Sequence, residues 1–406
     1  MYYRSIEGGR YEILILDYFR LLSALSLSLD VMEKRNFGHA RKVAYVGIRL
    51  ARNIGVKNDE EYKIFYSAFL HDIGKSDIVE DINHDSTWKH SLKGSEFVKE
   101  MPKGDEFSEI IKYHHENWDG SGYFHLSGNS IPLEAQIIYL ADQFDIRYSI
   151  ISKKLNEYDT RENIKKWLDL ESGKAFNPLL VSVFKDLMKQ EKFWLDYENY
   201  NQFDVLKPYI KNEIMVLGID ALENIAEVFS KIIDNKSHFT YNHSKGISEI
   251  AHKAATISGY DQITVQKVKI SGLLHDLGKL AIPNEILDKP GKLTEKEFMT
   301  IKSHTYFTKI ILREIGGIDD IAEWAANHHE KLDGSGYPEG LTGEDLDGIS
   351  RLMAVCDIYQ ALTEDRPYRK GVSHIEAIDV IYKLVKQNKV DGKSLEIIRE
   401  IQKVNK

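Results

Sequence analysis

Of the 406 residues only Cys356 is a cysteine, so no internal disulfide can form; this fits a reducing compartment, and a cytoplasmic location is expected. Proline is scarce, at 8, and glycine modest, at 27, which excludes collagen-like and extensively disordered sequence. Positive charge is in deficit: 54 basic residues stand against 63 acidic ones, a formal charge of −9. Nonspecific binding to duplex nucleic acid or to an anionic membrane is therefore not expected as the main activity. Every apolar run meets a charge well before the roughly 18 residues a membrane span requires. Residues 1–10 carry Arg4, Glu7 and Arg10 where a secretory leader would have its apolar core. What is present is globular, with 42% hydrophobic and 29% charged residues. At about 100–200 residues per domain the length predicts two or three compact units.

The chain carries an internal duplication, and the fold has to be read through it. Ala68-Phe69-Leu70-His71-Asp72-Ile73-Gly74-Lys75 returns as Gly272-Leu273-Leu274-His275-Asp276-Leu277-Gly278-Lys279. His114-His115-Glu116-Asn117-Trp118-Asp119-Gly120-Ser121-Gly122-Tyr123 returns as His328-His329-Glu330-Lys331-Leu332-Asp333-Gly334-Ser335-Gly336-Tyr337. The register holds between blocks: His39 to His71 and His243 to His275 are both 32 residues, and His90 to His114 and His304 to His328 are both 24. Lys75 to His90 takes 15 residues and Lys279 to His304 takes 25, so the second copy has ten more there, and Pro283, Pro290 and Gly291 mark them as a loop.

Apolar residues recur at helical spacing around these blocks, as in Val43, Val46, Gly47 and Leu50 or Ile247, Ile250, Ala251 and Ala254, while strand-like alternation is scarce. The expected fold is all-α, two tandem helical domains over 1–200 and 201–406. Helices are expected over 13–29 and 210–233 at the entrance of each copy. Phe176-Asn177-Pro178 is expected to close the first copy, and the polar aromatic stretch Asp196–Asp204 to link the two.

Ten of the 15 histidines occupy corresponding positions: His39, His71, His90, His114 and His115 against His243, His275, His304, His328 and His329. His84, His125, His238, His252 and His374 have no counterpart and read as surface or core residues. Imidazole and carboxylate suit iron, manganese or zinc, and the absence of paired cysteines removes zinc-finger and iron–sulfur chemistry. Adjacent helix residues lie about 100° apart. A His-Asp dipeptide near a helix end therefore brings two different ligands to one centre, and its carboxylate can bridge two ions. Five histidines and two aspartates per copy exceed the needs of one ion and fit two.

The array His243, His275-Asp276, Gly278-Lys279, His304, His328-His329, Gly336-Tyr337-Pro338 and Asp357 resembles the HD-GYP family of the HD metal-dependent phosphohydrolase superfamily. The likeness is specific over 214–385 and looser over 13–190, where His39, His71, Asp72, Lys75, His90, His114, His115 and Asp142 are kept. The resemblance implies a helical bundle with two divalent ions per site, iron or manganese first, with zinc, nickel, cobalt or magnesium as alternatives. His243, His275, Asp276 and Asp357 would hold one ion. Asp276, as a bridge, would hold the other with His304, His328 and His329. Some relatives add a third ion through a carboxylate four residues before the first histidine; Phe239 and Arg35 stand there, so two ions are expected. Asp276 and Lys279 are implied as catalytic. Arg366, Arg369, Lys279, Gly336 and Tyr337 are implied as substrate contacts, Lys279 adding positive charge at the transition state and the arginines gripping phosphate.

The leading expectation is a phosphodiesterase whose second copy opens cyclic di-GMP to linear pGpG, with further cleavage to GMP left open. The alternatives are a cyclic GMP–AMP phosphodiesterase with a 5'-nucleotidase site in the first copy, a di-iron oxygenase, and a nucleotide sensor without turnover. A homodimer or a signalling protein docking on the Gly-Tyr-Pro loop is the partner expectation. The first copy has Phe124 in place of the loop proline, lacks the ten-residue insertion, and has Ile151 nine residues beyond Asp142, with Arg147 at another offset. Its ligands without the arginine pair leave three readings: a phosphomonoesterase or differently specific phosphodiesterase, a metal-stabilised regulatory or dimerising domain, or a second site for the same substrate.

Overall fold

The computed structural model describes residues 17–32, 38–77, 87–199, 203–209, 218–236, 243–365 and 370–401. Among these all regular structure is helical, with two isolated bridges, Ser172–Phe176 and Asp333–Thr342, so the all-α expectation holds. The chain divides into two compact units, residues 25–213 and residues 214–406 together with the chain up to Ala24. Helices α1 (Tyr18–Met32), α2 (His39–Asn53), α3 (Asn58–Leu70), α4 (Thr87–Lys99), α5 (Gly104–Tyr113), α6 (Leu133–Ile151), α7 (Glu157–Glu171), α8 (Pro178–Leu187), α9 (Glu191–Glu198) and α10 (Phe203–Leu206) come first. They are followed by α11 (Ile219–Asn235), α12 (His243–Ile257), α13 (Gln262–Leu274), α14 (Asn284–Leu287), α15 (Glu295–Ile315), α16 (Asp319–Ala326), α17 (Gly348–Thr363), α18 (His374–Lys386) and α19 (Gly392–Ile401). Helices α1 and α11 lie where the entrance helices are expected, with 13–16 and 210–217 outside the described residues, but α1 does not belong wholly to the first copy, since its residues up to Ala24 group with the second unit. None of the described helices is long and apolar enough to cross a membrane.

Local chemistry sets the boundaries. Helix α2 starts at His39 directly after Gly38, whose φ of +96° suits glycine, and it is buried on most sides, at Val43, Val46, Gly47 and Leu50 but also at Ala44, Tyr45 and Ile48. Asp261 caps α13 by accepting the N–H groups of Ile263 and Thr264, and Thr294 with Glu297 forms a capping box on α15. Such caps stabilise a helix by about 1 kcal/mol each. The capping box also trims the inserted loop of the second copy, which is not loop throughout: it contains the short α14.

In both copies the residues after the His-Asp pair form a short 3-10 turn, Ile73–Asp77 and Leu277–Ala281. That turn presses on the helix carrying the next histidine. A Cβ on Gly278 would lie 1.9 Å from the His304 carbonyl oxygen, and one on Gly74 would lie 2.1 Å from that of His90. Only glycine permits this approach, which holds His-Asp close to the third histidine.

After α6 and α17 the copies part. In the first, Phe184, Phe193, Trp194 and Tyr197 surround Phe144 of α6 at centroid distances of 4.9, 6.2, 6.1 and 5.1 Å. Each such pair adds about 0.5–1.5 kcal/mol beyond its area burial. In the second, Ile378, Ile381, Leu395 and Ile398 of α18 and α19 join a core with Val355 and Cys356 of α17. Two expectations are corrected here. Phe176-Asn177-Pro178 does not close the first copy, because Asn177 caps α8 and Pro178 occupies its first turn. Residues 196–204 are not a linker throughout, because Tyr197 lies on α9 with no exposed surface; the polar residues on the other face of α9 hide that apolar anchor.

Candidate metal centres

Helix ends and helix faces aim the histidines. His71 and His275 stand one residue beyond the C-terminal ends of α3 and α13. Their Nδ1 atoms are each 2.8 Å from a carbonyl three residues back, that of Ala68 or Gly272. The same contact recurs for His114 with Ile111, His304 with Ile301 and His328 with Ala325, at 2.6 Å each. A carbonyl only accepts, so Nδ1 carries the proton and Nε2 presents its lone pair to the site.

Those lone pairs converge. The ligating atoms of His39, His71 and Asp72 lie within 4.8 Å of one another, as do those of His90, His114 and His115. The second copy repeats both groups with His243, His275 and Asp276, and with His304, His328 and His329. Between its groups Asp276 turns one oxygen to each side: Oδ2 is 3.0 Å from His275 Nε2 and 3.9 Å from His243 Nε2, while Oδ1 is 3.4 Å from His304 Nε2 and 4.0 Å from His328 Nε2. Asp357 lies 3.6 Å from both His243 Nε2 and His329 Nδ1. In the first copy Asp142 Oδ1 lies 3.1 Å from His39 Nε2, and Asp72 Oδ1 lies 3.6 Å from His90 Nε2. All fourteen expected ligands are thus gathered, seven in each copy.

The donor set fits divalent cations. His39 Nε2, His71 Nε2, Asp142 Oδ1, His275 Nε2 and Asp276 Oδ1 are buried without a hydrogen-bond partner. Leaving such groups unsatisfied costs about 1–3 kcal/mol each, which a cation between them would offset. Burial opposes protonation at His39, His71, His90, His114, His115, His243, His304 and His328, and its balance with carboxylates divides these ligands. At His39 the neighbouring Asp142 and Asp145 carboxylates outweigh burial and lift it to about 10; at His243 those of Asp357 and Glu364 lift it to about 9. The charges of Asp72 and Asp142 take His71 to about 9. Burial prevails at His304, lowered to about 3, and at His115, lowered to about 4; His90, His114 and His328 fall well below the usual histidine value. Asp276 and Asp357 are held far below the ordinary carboxylate range, since the surrounding cationic groups outweigh their burial.

The remaining expected residues fall as follows. Lys279 Nζ is 2.6 Å from Asp276 Oδ2, and Lys75 Nζ is 2.5 Å from Asp72 Oδ2. The Tyr337 ring is centred 4.9 Å from that of His329. Gly336 has a packing reason: a Cβ there would come within 2.5 Å of Glu330 Cα. Arg366 and Arg369 lie outside the described residues, as do Phe239 and Arg35. The residues flanking 366–369 are tied together, Gly371 N–H donating to Asp365 Oδ1 at 2.7 Å and Val372 N–H to Leu362 O at 2.9 Å. In the first copy Arg147 lies 5.1 Å over the Trp167 ring. Trp88 stacks flat on Tyr123 at 3.9 Å, where the second copy sets Lys302 5.4 Å over Tyr337.

Three carboxylates escaped the sequence reading. Glu330 is buried and accepts the N–H groups of Glu339, Gly340 and Leu341 at 2.7, 3.1 and 3.0 Å, so it shapes the Gly-Tyr-Pro loop. Its signal was present, a glutamate following the paired histidines in both copies. Asp145 and Glu364 reach His39 and His243 from positions that do not correspond, so the duplication carried no signal for them. Beside the second centre opens a cleft of about 810 Å³. His328, His329 and Asp357 line it together with apolar Phe298, Ile358, Ala361 and Leu362, and with Lys331 and Lys389.

The HD domain family matches residues 36–147, and a second HD domain family matches residues 227–394. The 3'3'-cGAMP-specific phosphodiesterase 1 of Vibrio cholerae serotype O1 is 30% identical over 391 residues, covering 92% of this chain and 89% of that protein. The 3'3'-cGAMP-specific phosphodiesterase 3 of the same organism is 26% identical over 423 residues, covering 89% of each. A cyclic di-GMP phosphodiesterase of Pseudomonas aeruginosa is 38% identical over 149 residues, 36% of each chain. The crystal structure of the cyclic GMP-AMP-specific phosphodiesterase V-cGAP3 of V. cholerae superposes with a TM-score of 0.69 at 21% identity, covering 97% of this chain and 99% of that one, and so shares the fold.

Proposed function

The chain belongs to the HD-domain phosphodiesterases of the HD-GYP type, with two HD domains in tandem, and from that premise we propose that its C-terminal site hydrolyses the mixed cyclic dinucleotide 3'3'-cyclic GMP–AMP to a linear dinucleotide. Cyclic di-GMP becomes the competing substrate. This reverses the order expected from the motifs, because the relatives that match nearly end to end carry the mixed nucleotide in their names, whereas the Pseudomonas cyclic di-GMP enzyme matches over 36% of the chain.

One arrangement carries the reading: a carboxylate facing two histidine groups, beside a cleft that is apolar along one side and cationic at Lys331 and Lys389. Two divalent ions bound there would acidify a water and neutralise the non-bridging oxygens of the phosphodiester. His243, His275, Asp276 and Asp357 would hold one ion, and Asp276, His304, His328 and His329 the other. Lys279 brings a further positive charge to the edge of Asp276, where charge develops in phosphoryl transfer. Arg366 and Arg369 would bind phosphate oxygens through their forked donors. Phe298 and Tyr337, whose rings meet edge to face, would line the place of a base, and Ile358, Ala361 and Leu362 would exclude water from the reacting phosphate.

For the N-terminal site we propose a 5'-nucleotidase step on the linear product. The ligands and the Lys75–Asp72 pair are complete there, while the matched arginines are missing, which suits a terminal phosphate better than a ring held at both phosphates. The test of the substrate is kcat/KM for cyclic GMP–AMP against cyclic di-GMP with the metal-loaded chain. A preference for the mixed ring of about tenfold or more, equivalent to about 1.4 kcal/mol, is expected; a preference for cyclic di-GMP would overturn the assignment.

A further inference from the structure

In each copy one ligand histidine opens a helix: His39 is the first residue of α2 and His243 the first of α12. A histidine at or beyond a helix C-terminal end finds a carbonyl three residues back for its Nδ1–H, as His71 and His275 do. A histidine at the first position has no preceding turn to supply that acceptor. Both copies fill the gap with a carboxylate, but from different places. Asp145 Oδ2 lies 2.6 Å from His39 Nδ1, three residues beyond Asp142 on α6. Glu364 Oε2 lies 3.0 Å from His243 Nδ1, seven residues beyond Asp357, just past the end of α17.

The neighbourhoods have changed to match. At the position of Asp145 the second copy has Gln360, and at the position of Glu364 the first has Ser149. Lys42, three residues after His39, lies 3.5 Å from Asp145, whose Oδ1 also accepts the Tyr197 hydroxyl at 2.5 Å. The second copy has Gly246 there, and a Cβ on it would strike Gln360 Nε2 at 2.1 Å, so Gln360 occupies the space and the carboxylate enters from further along the chain. The same bond reached by two routes in one chain argues that the bond, not the local packing, is what the site requires.

We propose that Asp145 and Glu364 are positioning residues, each fixing the proton of its helix-opening histidine on Nδ1 and turning Nε2 to the ion. The inference rests on the reading of both clusters as metal centres. The carboxylate also makes the imidazole a stronger donor, and loss of such an outer partner costs about 10–100-fold in metal affinity.

The test is cobalt titration of the full chain in two backgrounds, Asp72→Ala, which disables the first centre, and Asp276→Ala, which disables the second. Affinity is followed by visible absorption of bound cobalt, and content by elemental analysis after gel filtration. In the Asp72→Ala background, Glu364→Ala is expected to weaken binding by about 10–100-fold and shift the cobalt spectrum, Glu364→Gln, which keeps an acceptor, to weaken it less, and Asp145→Ala to leave it unchanged. In the Asp276→Ala background the roles of Asp145 and Glu364 exchange. Circular dichroism identifies any unfolded alanine variant, for which the Gln or Asn variant then decides. Unchanged cobalt affinity and spectrum in the folded Glu364 and Asp145 variants would overturn the positioning role. A parent chain that binds no cobalt would instead overturn the metal reading, and this inference with it.

Discussion

At Asp276 the two carboxylate oxygens face different histidine groups, and the Lys279 ammonium rests on the oxygen shared with His275 and His243. Lys279→Met keeps the length of the side chain and removes its charge. Because that charge matters most when the phosphate gains negative charge, kcat is expected to fall about 10²-fold with KM little changed; a rise in KM alone would show a ground-state contact instead. Proton inventory offers a second test. The metal-free chain holds protons on His39, His71 and His243, with values of about 10, 9 and 9, but not on His304 or His115, at about 3 and 4. Loading at pH 7 must expel these protons, so affinity should rise with pH up to about 9 at the second centre and about 10 at the first, and calorimetry in buffers of different ionisation enthalpy should detect released protons. Binding without proton release would contradict this charge pattern. The ligands themselves were legible because the chain states them twice at fixed spacing, whereas Asp145 and Glu364 do equivalent work from non-equivalent positions and only the folded structure pairs them with their histidines.

At the scale of elements, the turns after His71-Asp72 and His275-Asp276 set the width of each site through glycine. Gly278→Ala places a methyl 1.9 Å from the His304 carbonyl oxygen, so α15 must shift. Urea unfolding of the metal-free chain is expected to show a loss of about 1–3 kcal/mol. Gly343→Ala, whose Cβ would meet Leu332 at an ordinary 3.4 Å, should stay within about 0.5 kcal/mol. Equal effects would mean that the turn is not under this constraint. Helical periodicity made α2 and α12 legible: Ile247, Ala251 and Ala254 lie on the buried face of α12, and Val43, Val46 and Leu50 are buried on α2, which is covered on its other sides as well. It did not reveal the end of α9, an eight-residue helix whose buried Tyr197 stands between Asp196 and Glu198 and so reads as part of the polar linker 196–204.

At the scale of the whole molecule, the duplication announced two helical units; the structure groups residues 25–213 in one and 214–406 with the chain up to Ala24 in the other, and Tyr209, whose ring is centred 6.3 Å from that of Tyr45, belongs with the first. The two units close on different cores, aromatic around Phe144 and aliphatic around Ile381 and Ile398, a difference that motif spacing does not encode. Each unit carries its own ligand set, so metal should stabilise both. At a free metal concentration of 100 times Kd the gain is about 2.7 kcal/mol per independent centre. Chelation should therefore lower the melting temperature in the parent, in Asp72→Ala and in Asp276→Ala; an unaffected single-centre variant would show that its remaining ligand set holds no ion.

The central claim is that ring opening belongs to the second centre and later dephosphorylation to the first. Chromatography of the products of cyclic GMP–AMP with metal-loaded parent, His275→Ala and His71→Ala tests it most directly. The account predicts that the ring survives intact in His275→Ala, while His71→Ala opens it and accumulates the linear dinucleotide with its terminal phosphate. Ring opening that persists in His275→Ala, or a metal-loaded parent that leaves the ring closed, would contradict it.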